Sequence, residues 1–222
     1  MLHKETVERS TFELLTTLMQ DEKLSQFNLA GGTALALHIG HRKSVDLDLF
    51  TQKDFSESEL SEYLTKKYNF INDFQSKNTL KGYINNVMVD CITHKYENVK
   101  PIINEQGIRL YSVEDISAMK LNAIADNGTR LKDFIDIACL SNQMSFKQML
   151  QAYEHKYPSS NSMRAVRGVL YHDDIIKEPI YMLKGRYDWS NLESRLNEMV
   201  KNENVKFITY PFDEGQNLSR KR

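Results

Sequence analysis

Every segment of this chain that reads as a strand falls before Pro101, and beyond that proline the apolar residues recur at helical spacing. That division restricts the fold to an α+β arrangement, in which a sheet with flanking helices is built first and a C-terminal helical bundle follows. Strands are expected over residues 27–30, 44–50, 69–75, 79–84 and 86–94, with helices over 5–20, 33–38 and 57–67 among them. They form a small mixed sheet. Residues 113–126, 131–140, 146–157, 162–171 and 192–200 read as the helices of the second half. The stretch 100–111 carries Pro101 and Gly107 among polar residues and reads as the connection, which gives domains of 1–105 and 106–222. With 222 residues, each half is long enough to bury its own core.

Apolar residues make up 41% of the chain and charged residues 27%, the balance of a globular protein rather than a disordered or fibrous one. No apolar run approaches the roughly 18–20 residues of a membrane span. The start, Met1-Leu2-His3-Lys4-Glu5, has no signal-peptide core, so a cytoplasmic protein is expected, with no membrane partner. A formal net charge of −1 excludes a uniformly basic nucleic-acid coat and leaves only local patches, His41-Arg42-Lys43 and the tail Ser219-Arg220-Lys221-Arg222. Cys91 and Cys139 sit apart in apolar runs without metal-ligand spacing, and are expected as buried thiols.

The chemistry concentrates in two neighbouring segments. A strand over Ser44-Val45-Asp46-Leu47-Asp48-Leu49-Phe50 turns Val45, Leu47 and Leu49 to one face and Asp46 and Asp48 to the other. The two carboxylates then stand roughly 6 to 7 Å apart, and a divalent cation is their natural neutraliser. A wet edge strand carries the same pattern, so the pair alone decides nothing. Upstream, a strand ends in Gly31-Gly32 and a helix opens at Thr33, which offers uncovered N–H groups and a positive dipole end to a phosphate. Asp90 interrupts the apolar run Val87-Met88-Val89-Asp90-Cys91-Ile92, where it needs a base or a metal as partner. Three acids on neighbouring strands suit two-metal phosphoryl chemistry, with Asp46 and Asp48 holding Mg²⁺ or Mn²⁺ on a triphosphate and Asp90 completing the set.

The blocks Leu29-Ala-Gly-Gly-Thr-Ala-Leu-Ala-Leu37 and His41-Arg-Lys-Ser-Val-Asp-Leu-Asp-Leu-Phe50 resemble the signature of the AbiEii/AbiGii nucleotidyltransferase-like toxins of type IV toxin–antitoxin systems. Those toxins belong to the polymerase-β-like nucleotidyltransferase superfamily. The likeness continues through Val113-Glu-Asp-Ile-Ser-Ala-Met-Lys-Leu-Asn-Ala123 and Arg130-Leu-Lys-Asp-Phe-Ile-Asp136, and so spans roughly residues 27 to 140. One departure is Gly32, where the wider superfamily often has a serine. A hydroxyl contact to phosphate is then missing or moved to Thr33.

Lys120 lies on or beside an apolar helical stripe, and an inward lysine requires an anion. In the next helix Leu131, Phe134, Ile135 and Ala138 form the core stripe, leaving Arg130 with Asp133 and Lys132 with Asp136 as solvated ion pairs. The resemblance instead implies that Lys120 contacts nucleotide phosphates and that Lys132 and Asp133 face the nucleotide or Lys120. The expected site is therefore catalytic and metal-binding Asp46, Asp48 and Asp90, with Gly31, Gly32, Thr33, Arg42, Ser44, Lys120, Lys132 and Asp133 around a nucleoside triphosphate. The implied reaction moves a nucleoside monophosphate to an acceptor hydroxyl with loss of pyrophosphate. The implied partners are a transfer-RNA acceptor end and a cognate antitoxin. A small-molecule or protein acceptor, and a nucleotide-binding module without turnover, remain open alternatives.

Overall fold

The computed structural model describes residues 1–212, so the basic tail at 219–222 lies outside the described residues. The chain divides into two compact units: Met1–His38 with Ser44–Val113, and Ile39–Lys43 with Glu114–Arg222. The second unit takes up the short segment Ile39–Lys43, and residues 106–113 stay with the first, so a single cut at 105/106 does not describe the division.

The first unit is built on a seven-stranded mixed sheet of β1 (Asn28–Leu29), β2 (Leu47–Thr51), β3 (Ile71–Ser76), β4 (Thr79–Ile84), β5 (Val87–Thr93), β6 (Ile103–Glu105) and β7 (Ile108–Leu110), in the order β3-β4-β5-β2-β1-β7-β6. β2 runs parallel to β5 and β1 parallel to β7, while the other neighbours are antiparallel. Tight turns set the hairpin registers. Asn85 and Asn86 both take positive φ, 50° and 64°, as a two-residue connection between twisted strands requires. Gln106 and Gly107 do the same between β6 and β7, at 54° and 81°. The stretch expected to be a linker is thus a hairpin on the sheet edge. Its strands of three residues are too short for alternation to register in the sequence. Arg109 anchors it by donating to the carbonyls of Met19, Leu24 and Phe27 at 2.7, 3.1 and 3.1 Å.

Three helices complete this unit. The expected opening helix is broken into a 3-10 turn at Lys4–Thr6 and α1 (Arg9–Gln20), whose Leu14, Leu15, Leu18 and Met19 are buried. α2 (Gly31–Ile39) is buried from Thr33 through Leu37, so it is a core helix rather than an amphipathic one. α3 (Glu57–Tyr68) starts at Ser56, whose side chain accepts from the Glu59 N–H, and packs Leu60 and Leu64 toward the sheet.

The second unit holds α4 (Val113–Asp126), α5 (Leu131–Leu140), α6 (Phe146–Lys156), α7 (Ser162–Leu170) and α8 (Trp189–Lys201). Ser145 and Gln148 form a reciprocal capping box at the start of α6. α8 opens three residues before the expected 192 because Asp188 caps the Asn191 N–H at 2.9 Å. α5 packs against α8, and α7 against both α6 and α8. Asp115 and Lys156, both fully buried, pair at 2.7 Å between α4 and α6. The architecture is α+β, with eight α-helices and a mixed sheet among the described residues. No helix among those residues is long and apolar enough to cross a membrane. Both cysteines are free and buried, and burial pushes the Cys91 thiol up to about 12.

Asp21, at the end of α1, is a heavily bonded acid. Its carboxylate accepts from the Tyr63 and Tyr68 hydroxyls, from Lys67 and from the Lys23 N–H. Burial opposes its ionisation, but the bonds from Lys67, Tyr68, Tyr63 and Lys23 outweigh that and hold the carboxyl at about 2. A depressed carboxyl stabilises the fold above its unfolded pKa of about 3.9 and ceases to do so as pH falls through the folded value. Asp21→Asn should therefore destabilise the protein by about 1–2 kcal/mol at neutral pH, after allowance for the half-exposed Lys67. Urea unfolding of both proteins should show that gap closing as the pH is lowered from 5 toward 2.

Candidate active site

Asp48 and Asp90 are register partners on the parallel pair β2 and β5. Paired residues on parallel strands point to the same face, so the two carboxylates stand one strand spacing, about 4.8 Å, apart at their backbones. β2 opens only at Leu47, which leaves Asp46 immediately outside the ladder. The expected alternation fails there: Leu47 and Leu49 are buried, whereas Val45 is 54% exposed and does not share their face.

Asp48 is brought against the opening of α2. Gly31 has φ +65°, and a Cβ on it would overlap the Asp48 carboxylate, so only glycine admits the acid to this position. The first intrahelical bond of α2 runs from the Ala34 N–H to the Ala30 carbonyl at 3.3 Å, so the amides of residues 31–33 precede the helical ladder. The positive end of the helix therefore faces an acid pair. Thr33 is buried, and its hydroxyl donates to the Asp46 carbonyl and bonds the Ser44 hydroxyl at 2.8 Å. Thr33 thus holds the backbone of Asp46, and its hydroxyl is engaged there rather than presented to a phosphate.

Asp90 is 6% exposed and takes the amine of Lys81 on Oδ2 at 2.6 Å. Lys81 is its register partner on β4. The other oxygen, Oδ1, is buried and has no hydrogen-bond partner. Of the two partners expected for this acid, the base is present. Among the described residues no three histidine, cysteine or acidic side chains converge as a metal cluster. What is assembled is the acid pair Asp48 and Asp90, with Asp46 adjacent in sequence.

A second cluster lies within the helical unit around Asp136, which is wholly buried. Its Oδ1 accepts from His41 Nε2 and Arg42 Nε, both at 2.7 Å, while Oδ2 accepts from Arg42 Nη2 at 2.9 Å and lies 2.8 Å from Lys120 Nζ. Lys120 also donates to Asp133 at 2.6 Å. Two acids and two strong bases balance. Burial disfavours the Asp136 charge, yet Arg42, Lys120 and His41 hold its carboxyl far below the usual carboxylate range. Burial likewise opposes the Lys120 charge, but Asp136 and Asp133 raise its pKa. Desolvation pushes His41 down despite Asp136, so the imidazole is neutral.

These positions correct several expectations. Arg42, expected on a nucleotide, is 2% exposed and forms a bidentate pair with Asp136. Asp136 is no solvated partner of Lys132, whose amine lies 3.1 Å from Glu178 instead. Lys120 is inward as its stripe demanded, but the anions it meets are Asp133 and Asp136. Arg130 pairs with Asp133 at 3.9 Å as the i,i+3 spacing suggested.

With this geometry in place, comparison with known proteins adds a family. The family model of the nucleotidyl transferase AbiEii toxin, type IV toxin–antitoxin system, matches residues 13–101 and 87–214. The chain belongs to this family. It is a nucleotidyltransferase of the AbiEii type. The uncharacterized protein aq_aa25 of Aquifex aeolicus (strain VF5) is 31% identical over 184 residues, covering 80% of this chain and 87% of the relative. Two crystal structures from Helicobacter pylori share the fold. One, described as a candidate nucleotidyltransferase, aligns with TM-score 0.52 and 15% identity over 88% of this chain and 95% of that one. The other, JHP933, aligns with TM-score 0.51 and 14% identity over 88% and 92%.

In this AbiEii chain, Lys81 and Asp136 are the residues that reading the sequence missed. Lys81 sits in a correctly expected strand, but only the pairing of β4 with β5 shows which acid it faces. Asp136 carried a signal: a charged residue one position after Phe134 and Ile135 in a helix buried on nearly every side. Two substitutions test the assignments. Gly31→Ala forces a Cβ into the Asp48 carboxylate at a left-handed φ, and should abolish nucleotidyl transfer while destabilising the fold by about 1–3 kcal/mol. Arg42→Met should cost about 3–5 kcal/mol in urea unfolding, because Asp136 loses a bidentate partner in the interior. A nucleotide-contacting arginine would instead raise the KM for the triphosphate with stability intact.

Proposed function

We propose that this AbiEii-family enzyme transfers a nucleoside monophosphate from a nucleoside triphosphate to the terminal hydroxyl of a transfer RNA, in a reaction dependent on Mg²⁺ or Mn²⁺. The observation that carries this reading is the pairing of Asp48 with Asp90 beside the N-terminal opening of α2. The residues fit a divalent cation in a specific respect: two carboxylates share one face, and Asp90 Oδ1 is buried without a donor. Asp48 and Asp90 would hold the cation, with Asp46 two residues before Asp48 in sequence. When bound, such a cation neutralises charge building on the phosphate oxygens.

The protein's own groups supply the rest. The amides at Gly31, Gly32 and Thr33 offer donors to the triphosphate, and the absence of side chains at 31 and 32 lets its oxygens approach the backbone. The Asp90 carboxylate, through the oxygen that the cation leaves free, is the site at which the acceptor hydroxyl can leave its proton. The hydroxyl oxygen then bonds to the α-phosphorus as the bond to pyrophosphate breaks, and the two substrates are held in line rather than meeting by diffusion. The transfer-RNA acceptor is proposed from the resemblance of the Leu29–Leu37 and His41–Phe50 blocks to type IV toxins alone, while the family match also supports a cognate antitoxin.

Incubation with total transfer RNA, Mg²⁺ and each α-labelled nucleoside triphosphate in turn tests this directly. Label should enter the RNA with wild type, fall by roughly 10²-fold or more with Asp48→Asn or Asp90→Asn, and vanish with a chelator. Labelling of a protein or small molecule in a whole extract, with none on RNA, would reassign the acceptor. Nucleotide binding without transfer to any acceptor would reject the proposed reaction.

A further inference from the structure

Across one face of the sheet run, in order, Lys81 on β4, Asp90 on β5, Asp48 on β2 and the helix opening at Gly31. The row alternates a mobile cation, two fixed acids and a fixed dipole end. Lys81 and Asp90 are unequal partners. The lysine side chain is 40% exposed on a flexible four-carbon stem, whereas the short side chain of Asp90, on a strand paired on both sides, is only 9% exposed. When something else claims this carboxylate, the lysine is the partner that can move. Asp90 is also only half satisfied by the lysine, because Oδ1 has no donor. Two neighbouring carboxylates on one face suit a divalent cation, and a lysine still bound to Asp90 would repel it.

We infer that Lys81 is a displaceable counter-ion: its ammonium holds Asp90 in the ion-free enzyme, yields the carboxylate when a divalent cation binds, and turns to the triphosphate. The inference rests on the metal-dependent reading above. It makes Lys81 a positioning residue for Asp90 before the substrate arrives and a phosphate-binding residue afterwards. It also couples the two ligands: nucleotide provides the anion that accepts the released lysine, so each ligand favours the other's binding.

Binding rather than turnover tests it. Free Mn²⁺ is followed by electron paramagnetic resonance during titration of the full chain as wild type, Lys81→Met, Lys81→Gln and Lys77→Met, with thermal unfolding run alongside. Lys81→Gln retains a hydrogen-bond donor for Asp90, and Lys77→Met removes an exposed lysine in the β3–β4 turn. Removal of one positive charge about 5 Å from a divalent cation should tighten Mn²⁺ binding roughly tenfold in both Lys81 variants. The same variants should bind an α,β-methylene triphosphate analogue at saturating Mn²⁺ several-fold more weakly, while Lys77→Met follows wild type in both measurements. A lysine with a purely structural role would weaken both ligands when removed, so the opposite signs are the diagnostic feature. If wild type binds Mn²⁺ and folded Lys81→Gln binds it no more tightly, or binds the analogue equally well, the inference is overturned and the metal reading stands. If no variant and no wild type takes up Mn²⁺, both fail.

Discussion

Asp136 is a buried carboxylate that accepts from a neutral histidine and an arginine and pairs with a lysine, and the arrangement of its unit depends on that charge being met. An unpaired carboxylate in such an interior is worth several kcal/mol of destabilisation, so the segments that supply its partners are not free to lie elsewhere. His41 and Arg42 come from the five-residue segment Ile39–Lys43, which leaves the core helix α2 and leads toward β2. Lys120 comes from α4, and Asp133 on α5 takes its remaining attention. This charge balance explains why a short piece of chain between two elements of the sheet unit clusters with the helices.

The acid pair is organised by different physics. Its geometry comes from backbone ladders and sterics: the β2–β5 register sets Asp48 beside Asp90, and the missing side chain at Gly31 lets Asp48 reach the end of α2. Thr33 reinforces this by bonding the Asp46 carbonyl just before the strand begins. An anion pair held this close without a counter-charge would be costly, and Lys81 and the helix dipole provide the local answer. Carboxylates beside a helix N-terminus offer adjacent positions of opposite preference, one for a cation and one for an anion.

Much of the fold was legible because its long elements have strong periods. The limits of β4, α4 and α5 follow directly from hydrophobic alternation or helical stripes, and the later helices differ only at their ends. Failures cluster where elements are short or where backbone dihedrals decide. β6 and β7 were hidden because three residues cannot display a period, and the positive φ of Gln106 gave no recognisable turn signal. The break before α1 and the late start of β2 are likewise settled by hydrogen bonding at the ends of elements, which hydrophobicity does not report.

For the site, the sequence alone determined the chemical inventory: glycines before a helix, acids at alternate positions, a third acid in an apolar run and an inward lysine. Those follow from local rules, since period and residue type suffice to state which groups share a face. Tertiary structure decided the partnerships. Arg42 reads as an exposed basic loop residue until α5 places Asp136 against it, and Lys81 reads as an ordinary strand lysine until β4 pairs with β5. The energy of a charge depends on what surrounds it in space, and residues 42 and 136 are brought together only by folding.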